Sequence, residues 1–215
     1  MLNQFSVKQE FNTPLGIIKS GFYVDSKKYR LVAEKQYPNA KALHYHTRSY
    51  SIEIVIVDLP IEIGEEIIVH INPGVLFYIE KLNDSIEQLH TFCLLEDNPS
   101  GITMNPANGE HLDGIQICND TWVMHMGTED GEMLQLRAKY NNWMPERLLP
   151  TLSVNASPTQ VKPNGFVTAI PELQTGEKIY FQYLNAYEKG DANCLNTWLI
   201  IDWERKKLES FIHQL

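Results

Sequence analysis

From Ser51 to Leu59 the chain alternates residue by residue: Ile52, Ile54 and Ile56 fall on one side, Glu53, Val55 and Val57 on the other. Successive side chains of an extended chain point to opposite faces, so a period of two marks a β-strand with one strongly buried face. The pattern recurs at once. Ile67, Val69 and Ile71 alternate within 66–71, and Val75, Phe77 and Ile79 within 75–80. Asn72-Pro73-Gly74 lies between them and reads as a turn, because proline presets φ and glycine accepts a positive φ. Asn83-Asp84-Ser85 breaks the chain again before a further strand over 86–95. These segments read as a four-stranded antiparallel meander.

A second meander begins near Gly114. A short strand over 115–118 meets Asn119-Asp120, a tight-turn pair, and Thr121 to Met126 puts Trp122, Met124 and Met126 on one face. Thr128-Glu129-Asp130-Gly131 reads as a hairpin turn on its Asp-Gly pair, with Met133 to Tyr140 returning as a strand. Further strands are expected over 15–24, 29–34, 166–170, 179–187 and 195–201, and a weak helical pattern covers 39–45. Asp202 reads as an N-cap, and Leu208, Phe211, Ile212 and Leu215 follow the i, i+3, i+4, i+7 spacing of a C-terminal helix. About a dozen strands and a C-terminal α-helix make the chain mainly β, an antiparallel β-sandwich or a partly closed barrel. The expected core includes Ile52, Ile54, Ile56, Ile67, Val69, Ile71, Val75, Phe77, Ile79, Ile115, Ile117, Trp122 and Leu199. Residues 149–164, with Pro150, Pro158 and Pro163, read as a linker or long loop between a β-meander region (1–148) and C-terminal strands plus helix (165–215) packed on the same domain.

Charge is distributed unevenly. Residues 1–50 carry eight Lys or Arg against three Asp or Glu, residues 51–135 carry Lys81 alone against sixteen acids, and residues 136–215 carry nine bases against eight acids. The net values of +5, −15 and +1 make up the overall −9. Several of these acids stand at expected strand ends: Glu96, Asp97, Glu110, Asp113, Glu129, Asp130 and Glu132 are the expected partner-binding residues. A negative field of this kind repels nucleic acid and attracts a basic protein. No apolar run approaches the ~20 residues that a membrane helix requires. The three cysteines, Cys93, Cys118 and Cys194, are odd in number and far apart, which argues against a disulfide framework and for a reducing, cytoplasmic setting.

No motif fixes a reaction. There is no GxSxG, no P-loop and no GxGxxG after a strand. His44 and His46 would share a strand face, as a two-histidine metal site needs, but no third ligand stands near them in sequence, and the expectation is no metal and no cofactor. His111, Asp113 and His125 would form a carboxylate–imidazole site only if the fold brought them together. The aromatics of 179–187 split by alternation, with Phe181, Tyr183 and Tyr187 on one face and Tyr180 on the other. The reading leans away from an enzyme. It favours an acidic, cytoplasmic protein-binding module, concretely an immunity or inhibitor protein neutralising a basic partner such as a toxin, with no nucleic acid and no membrane. The alternative is a small-ligand-binding protein or metal-dependent enzyme with a pocket in the β-sandwich or barrel.

Overall fold

The computed structural model describes residues 6–63, 67–96, 100–109, 111–153 and 155–203; the side chains of 59–63, 67, 68, 70–72 and 203 are not among those described. Two antiparallel sheets stack as a β-sandwich, and neither closes into a barrel. The smaller sheet has the order β1-β2-β7-β12-β11, from Val7–Thr13, Gly16–Val24, Leu89–Glu96, Gly165–Ala169 and Thr159–Lys162. The larger has the order β3-β4-β5-β6-β13-β10-β9-β8, from Tyr29–Tyr37, Ala40–Thr47, Tyr50–Ile63, Ile67–Lys81, Lys178–Lys189, Trp122–Glu129, Leu112–Cys118 and Thr103–Asn108. Two α-helices, α1 (Gly131–Lys139) and α2 (Asn196–Trp203), and a 3₁₀ helix over Glu146–Thr151 complete the described chain.

The alternation read from the sequence is the alternation between the layers. Ile52, Ile54, Val75, Phe77, Ile79, Ile115, Ile117, Met124, Met126, Phe181 and Tyr183 face the smaller sheet and meet Ile18, Phe22, Leu89, Cys93 and Phe166. Ile56 and Trp122 are partly buried against the same cluster. Leu134, Ala138, Met144, Leu148 and Leu152, from α1 and the segment that follows it, add to it. The opposite face of the larger sheet holds a second cluster. There Val55, Val57, Val69, Leu76, Leu184 and Ala186 pack with Ile200 and Ile201 of α2. The centre of the larger sheet is thus covered on both sides, which is why Val55 and Val57 are as buried as the isoleucines they alternate with.

Several segments differ from their sequence reading. Asn72-Pro73-Gly74 does not reverse the chain; β6 runs straight through it as a bulge. Val57 and Leu59 oppose Gly74 and Ile71, and Leu184 and Ala186 do the same from the other side, so both neighbours leave one residue against two. A bulge is a place where a strand interior tolerates proline, since the ladder is already interrupted. Asn185 donates its Nδ2–H to the Pro73 carbonyl at 2.6 Å and ties the bulge down. The strand expected over 86–95 begins only at Leu89 and crosses to the smaller sheet, leaving Ile86 87% exposed. Residues 39–45 fall largely in strand β4 rather than in a helix.

Met133–Lys139 is helical and not a returning strand, because Asp130 caps α1. Its Oδ1 accepts from the Met133 N–H at 2.8 Å, Glu132 lies in the first turn, and Arg137 and Lys139 lie in the last, in the order the helix dipole favours. Residues 196–201 belong to α2, with Glu188 of β13 accepting from the Thr197 N–H at 3.2 Å and from Asn196 Nδ2 at 3.0 Å. Leu199, expected in the core, is on the outer side of that helix at 36% exposure. Asp202, expected as an N-cap, lies inside α2, while Leu208, Phe211, Ile212 and Leu215 of the expected C-terminal helix lie outside the described residues. Within 149–164 stand the end of the 3₁₀ helix and strand β11, and strands from 165–189 are hydrogen-bonded into both sheets.

Candidate functional site

The outer face of the larger sheet changes character from row to row. The register aligns Ala42, Val55, Leu76 and Gln182 across β4, β5, β6 and β13, a row that is buried throughout. The next row is His44, Glu53, Tyr78 and Tyr180, and the next is His46, Ser51, Glu80 and Lys178. Tyr78 stacks at 5.0 Å on Tyr180, which is itself buried, so the half-buried Tyr78 forms an aromatic shelf flanked by two carboxylates where the apolar cover ends.

Trp143 walls this shelf, with its indole edge-to-face on Tyr78 at 5.1 Å. Its backbone is in the left-handed region at φ 48°. A bulky residue held there signals local strain that the surroundings must over-determine, and such residues cluster at binding sites. The over-determination is visible. The Trp143 carbonyl accepts from the Tyr180 N–H at 3.0 Å and from Arg137 Nη2 at 2.8 Å. Arg137 also donates to the Asn142 carbonyl at 3.2 Å and the Tyr180 carbonyl at 2.9 Å, and its guanidinium lies 4.4 Å from the Tyr180 ring centre. The counter-ion is Glu129, at 2.6 Å from Arg137 Nη1 and only 1% exposed. Glu129 therefore departs from its expected position at a solvent-facing turn: it is an internal residue that fixes Arg137, which fixes Trp143.

Two clefts flank the indole. One of about 260 Å³ is lined by His44, Ser51, Glu53, Tyr78, Glu80 and Lys178 as well as Trp143. The other, about 470 Å³, lies among Asn141, Asn142, Met144, Gly176, Glu177 and Lys178. Lys178 Nζ stands 3.4 Å from Glu80 and 5.7 Å from the centre of the Trp143 ring, so the protein's own ammonium already uses this combination of carboxylate and π-face. Chemically the shelf suits a lysine or arginine side chain. His44 Nε2 meets Ser51 Oγ at 2.7 Å, a nucleophile–base distance, but no hydrogen bond among the described residues orients its other ring nitrogen.

No protein-family model and no curated protein matches this chain.

The remaining sequence-expected residues are dispersed. Glu96 pairs with Lys19 at 2.5 Å across β2 and β7. Asp97 and Glu110 are outside the described residues. Asp113, Asp130 and Glu132 lie at one corner with His111: Asp113 is held above the usual carboxylate range by burial and then by the charge of Asp130. His125 is not part of that corner. It is buried on the outer face, with Nδ1 at 2.6 Å from Thr197 Oγ1 of α2, and burial lowers its pKa to about 4. His44 and His46 do share a face, their rings edge-to-face at 4.9 Å, and no third ligating side chain among the described residues groups with them. All three cysteines are free thiols.

Sequence reasoning missed two features. The first is Trp143, whose strained backbone has no local signal, since the residues that hold it come from α1 and β13. The second is a cleft of about 600 Å³ around Tyr50, Lys81, Glu87 and His90. Lys81 is the one base in the acidic third, and that isolation was its signal. Its ammonium lies 4.3 Å from the Tyr50 ring centre and donates to the Ser85 carbonyl at 2.7 Å, while burial lowers its pKa. Glu87 beside it accepts from Thr47 Oγ1 at 2.6 Å and the Ser49 N–H at 3.0 Å. His90 Nδ1, on the same cleft, is buried with no hydrogen-bond partner among the described residues.

Proposed function

We propose that this protein is a protein-binding module that receives a basic segment of a partner protein on the aromatic shelf of its outer face. The concrete form is a cytoplasmic immunity or inhibitor protein that neutralises a basic partner such as a toxin. The observation that carries the reading is Trp143: a strained aromatic held by a buried Arg137–Glu129 pair over Tyr78, with Glu53 and Glu80 alongside. Tryptophan, tyrosine and charged pairs around an accessible cleft are the composition of an interface hot spot. The net charge of −9 supplies long-range attraction for a basic partner. Glu129 acts inside the protein, and Glu53 and Glu80 take over the surface role expected of the acidic turns.

Co-purification from the native host at low and high salt tests this, with wild type beside Glu53→Lys and Trp143→Ala. A basic polypeptide should be retained at 0.1 M salt and released towards 1 M, where the Debye length shrinks from ~10 Å to ~3 Å. Both variants should fail to retain it. Retention of the same polypeptide by both folded variants at every salt concentration would remove the shelf as the binding site.

A further inference from the structure

A second place on the molecule gathers ligating side chains independently of the shelf. His111 immediately precedes β9, Asp130 immediately follows β10, and Glu132 lies in the first turn of α1. The pairing of β9 with β10 sets Leu112 opposite Glu129, and the Asp130 N–H donates to the His111 carbonyl at 3.2 Å. Backbone register thus holds His111 beside Asp130, and the cap of α1 brings Glu132 round to them. One ligand atom from each of the three side chains lies within 4.8 Å of the other two. Asp130 spends only Oδ1 on capping Met133. No lysine or arginine forms an ion pair with either carboxylate among the described residues. A separate observation points to a ligand: His111 Nδ1 is shut off from water and has no hydrogen-bond partner among the described residues. Buried polar nitrogens are otherwise almost always paired.

We propose that His111, Asp130 and Glu132 bind a divalent transition-metal ion, with Zn²⁺ the ion that fits the set. One imidazole nitrogen and two carboxylate oxygens from three elements are a three-ligand site of the open kind, leaving a fourth position for water or a ligand. Mixed nitrogen and oxygen donors favour Zn²⁺ over Mg²⁺ or Ca²⁺, which take oxygen shells. Zinc–ligand bonds of ~2.0–2.2 Å put the ligand atoms roughly 3–3.5 Å apart, so the three side chains draw together on binding, the exposed Glu132 most freely. The inference rests on no part of the partner reading.

The test is titration of tag-free, full-length protein with Zn²⁺ by calorimetry, with thermal unfolding followed alongside. Wild type should bind one Zn²⁺ per chain and melt higher with it. His111→Gln, Asp130→Asn and Glu132→Gln should each weaken binding at least ~10-fold. The amide of Asp130→Asn keeps an oxygen to cap Met133, so this variant tests the ligand without dismantling α1. His44→Gln with His46→Gln, and Glu53→Lys, should leave the titration unchanged. Absence of stoichiometric Zn²⁺ binding by wild type, wild-type affinity in Asp130→Asn, or loss of the site with the His44 and His46 pair would overturn the assignment.

Discussion

Arg137 is the residue on which the candidate site turns. It makes hydrogen bonds to the carbonyls of Asn142, Trp143 and Tyr180 and an ion pair with Glu129, and both charges are almost wholly buried. A buried pair of this kind is worth little against an apolar replacement of both partners, yet removing one partner strands the other charge. Arg137→Met should therefore cost about 3–5 kcal/mol in urea unfolding, and the double change with Glu129→Leu should recover a large part of it. Since the same side chain holds the Trp143 carbonyl, Arg137→Met should also move tryptophan emission to longer wavelength in the folded state. An unchanged spectrum would show that the Trp143 conformation stands without its guanidinium clamp.

Among the elements, α2 decides how much of the outer face is covered. Its apolar side seats Ile200 and Ile201 on β6, β10 and β13, and Gly114 of β9 leaves room for Trp198, whose ring a Cβ there would meet at 2.4 Å. The polar tie is His125 to Thr197. Because burial lowers the His125 pKa to about 4, the folded state refuses a proton that the unfolded chain accepts below pH ~6.5. The stabilising contribution is complete above pH ~6.5 and is lost as pH falls towards the folded value, at about 1.4 kcal/mol per pH unit. Between pH 7 and pH 5 wild type should lose about 2 kcal/mol more stability than His125→Asn, measured by urea unfolding at each pH. Equal losses would mean that the imidazole protonates without disturbing α2.

The two layers of the molecule are joined by more than apolar contact. Tyr183 of the larger sheet is fully buried, and its hydroxyl meets Thr91 at 2.8 Å and Thr168 at 2.6 Å, both on the smaller sheet. Thr168 in turn meets Thr159 of β11 at 2.8 Å, so one hydroxyl chain links β13, β7, β12 and β11. Tyr183→Phe keeps the ring and removes the junction, leaving two buried threonines a partner short. The expected cost is about 1–3 kcal/mol. Because the apolar core also joins the layers, the variant should still unfold in one transition at lower denaturant; a second transition would show that the hydroxyl chain is what makes the two sheets unfold together.

Most strands and their inward faces were legible in the order of residues. Ile52, Ile54, Phe77, Ile79, Met124 and Phe181 lie where alternation puts them, and the Asn119-Asp120 hairpin joins β9 to β10, because a period of two and a tight turn are local properties of the chain. What locality leaves open came from contacts between distant segments. The helical state of 133–139 and 196–201 was settled by a cap from Asp130 and by Glu188, a residue of another element. Which sheet received β7, and that β6 runs through Pro73, followed from partners far along the chain. The charges behaved likewise. Runs of acid read as a surface, yet Glu129 found Arg137 inside, while Glu53 came to flank the Trp143 shelf and Asp130 met His111. A carboxylate's role depends on which cations and how much water the folded chain leaves around it, and only the packing of distant segments sets either.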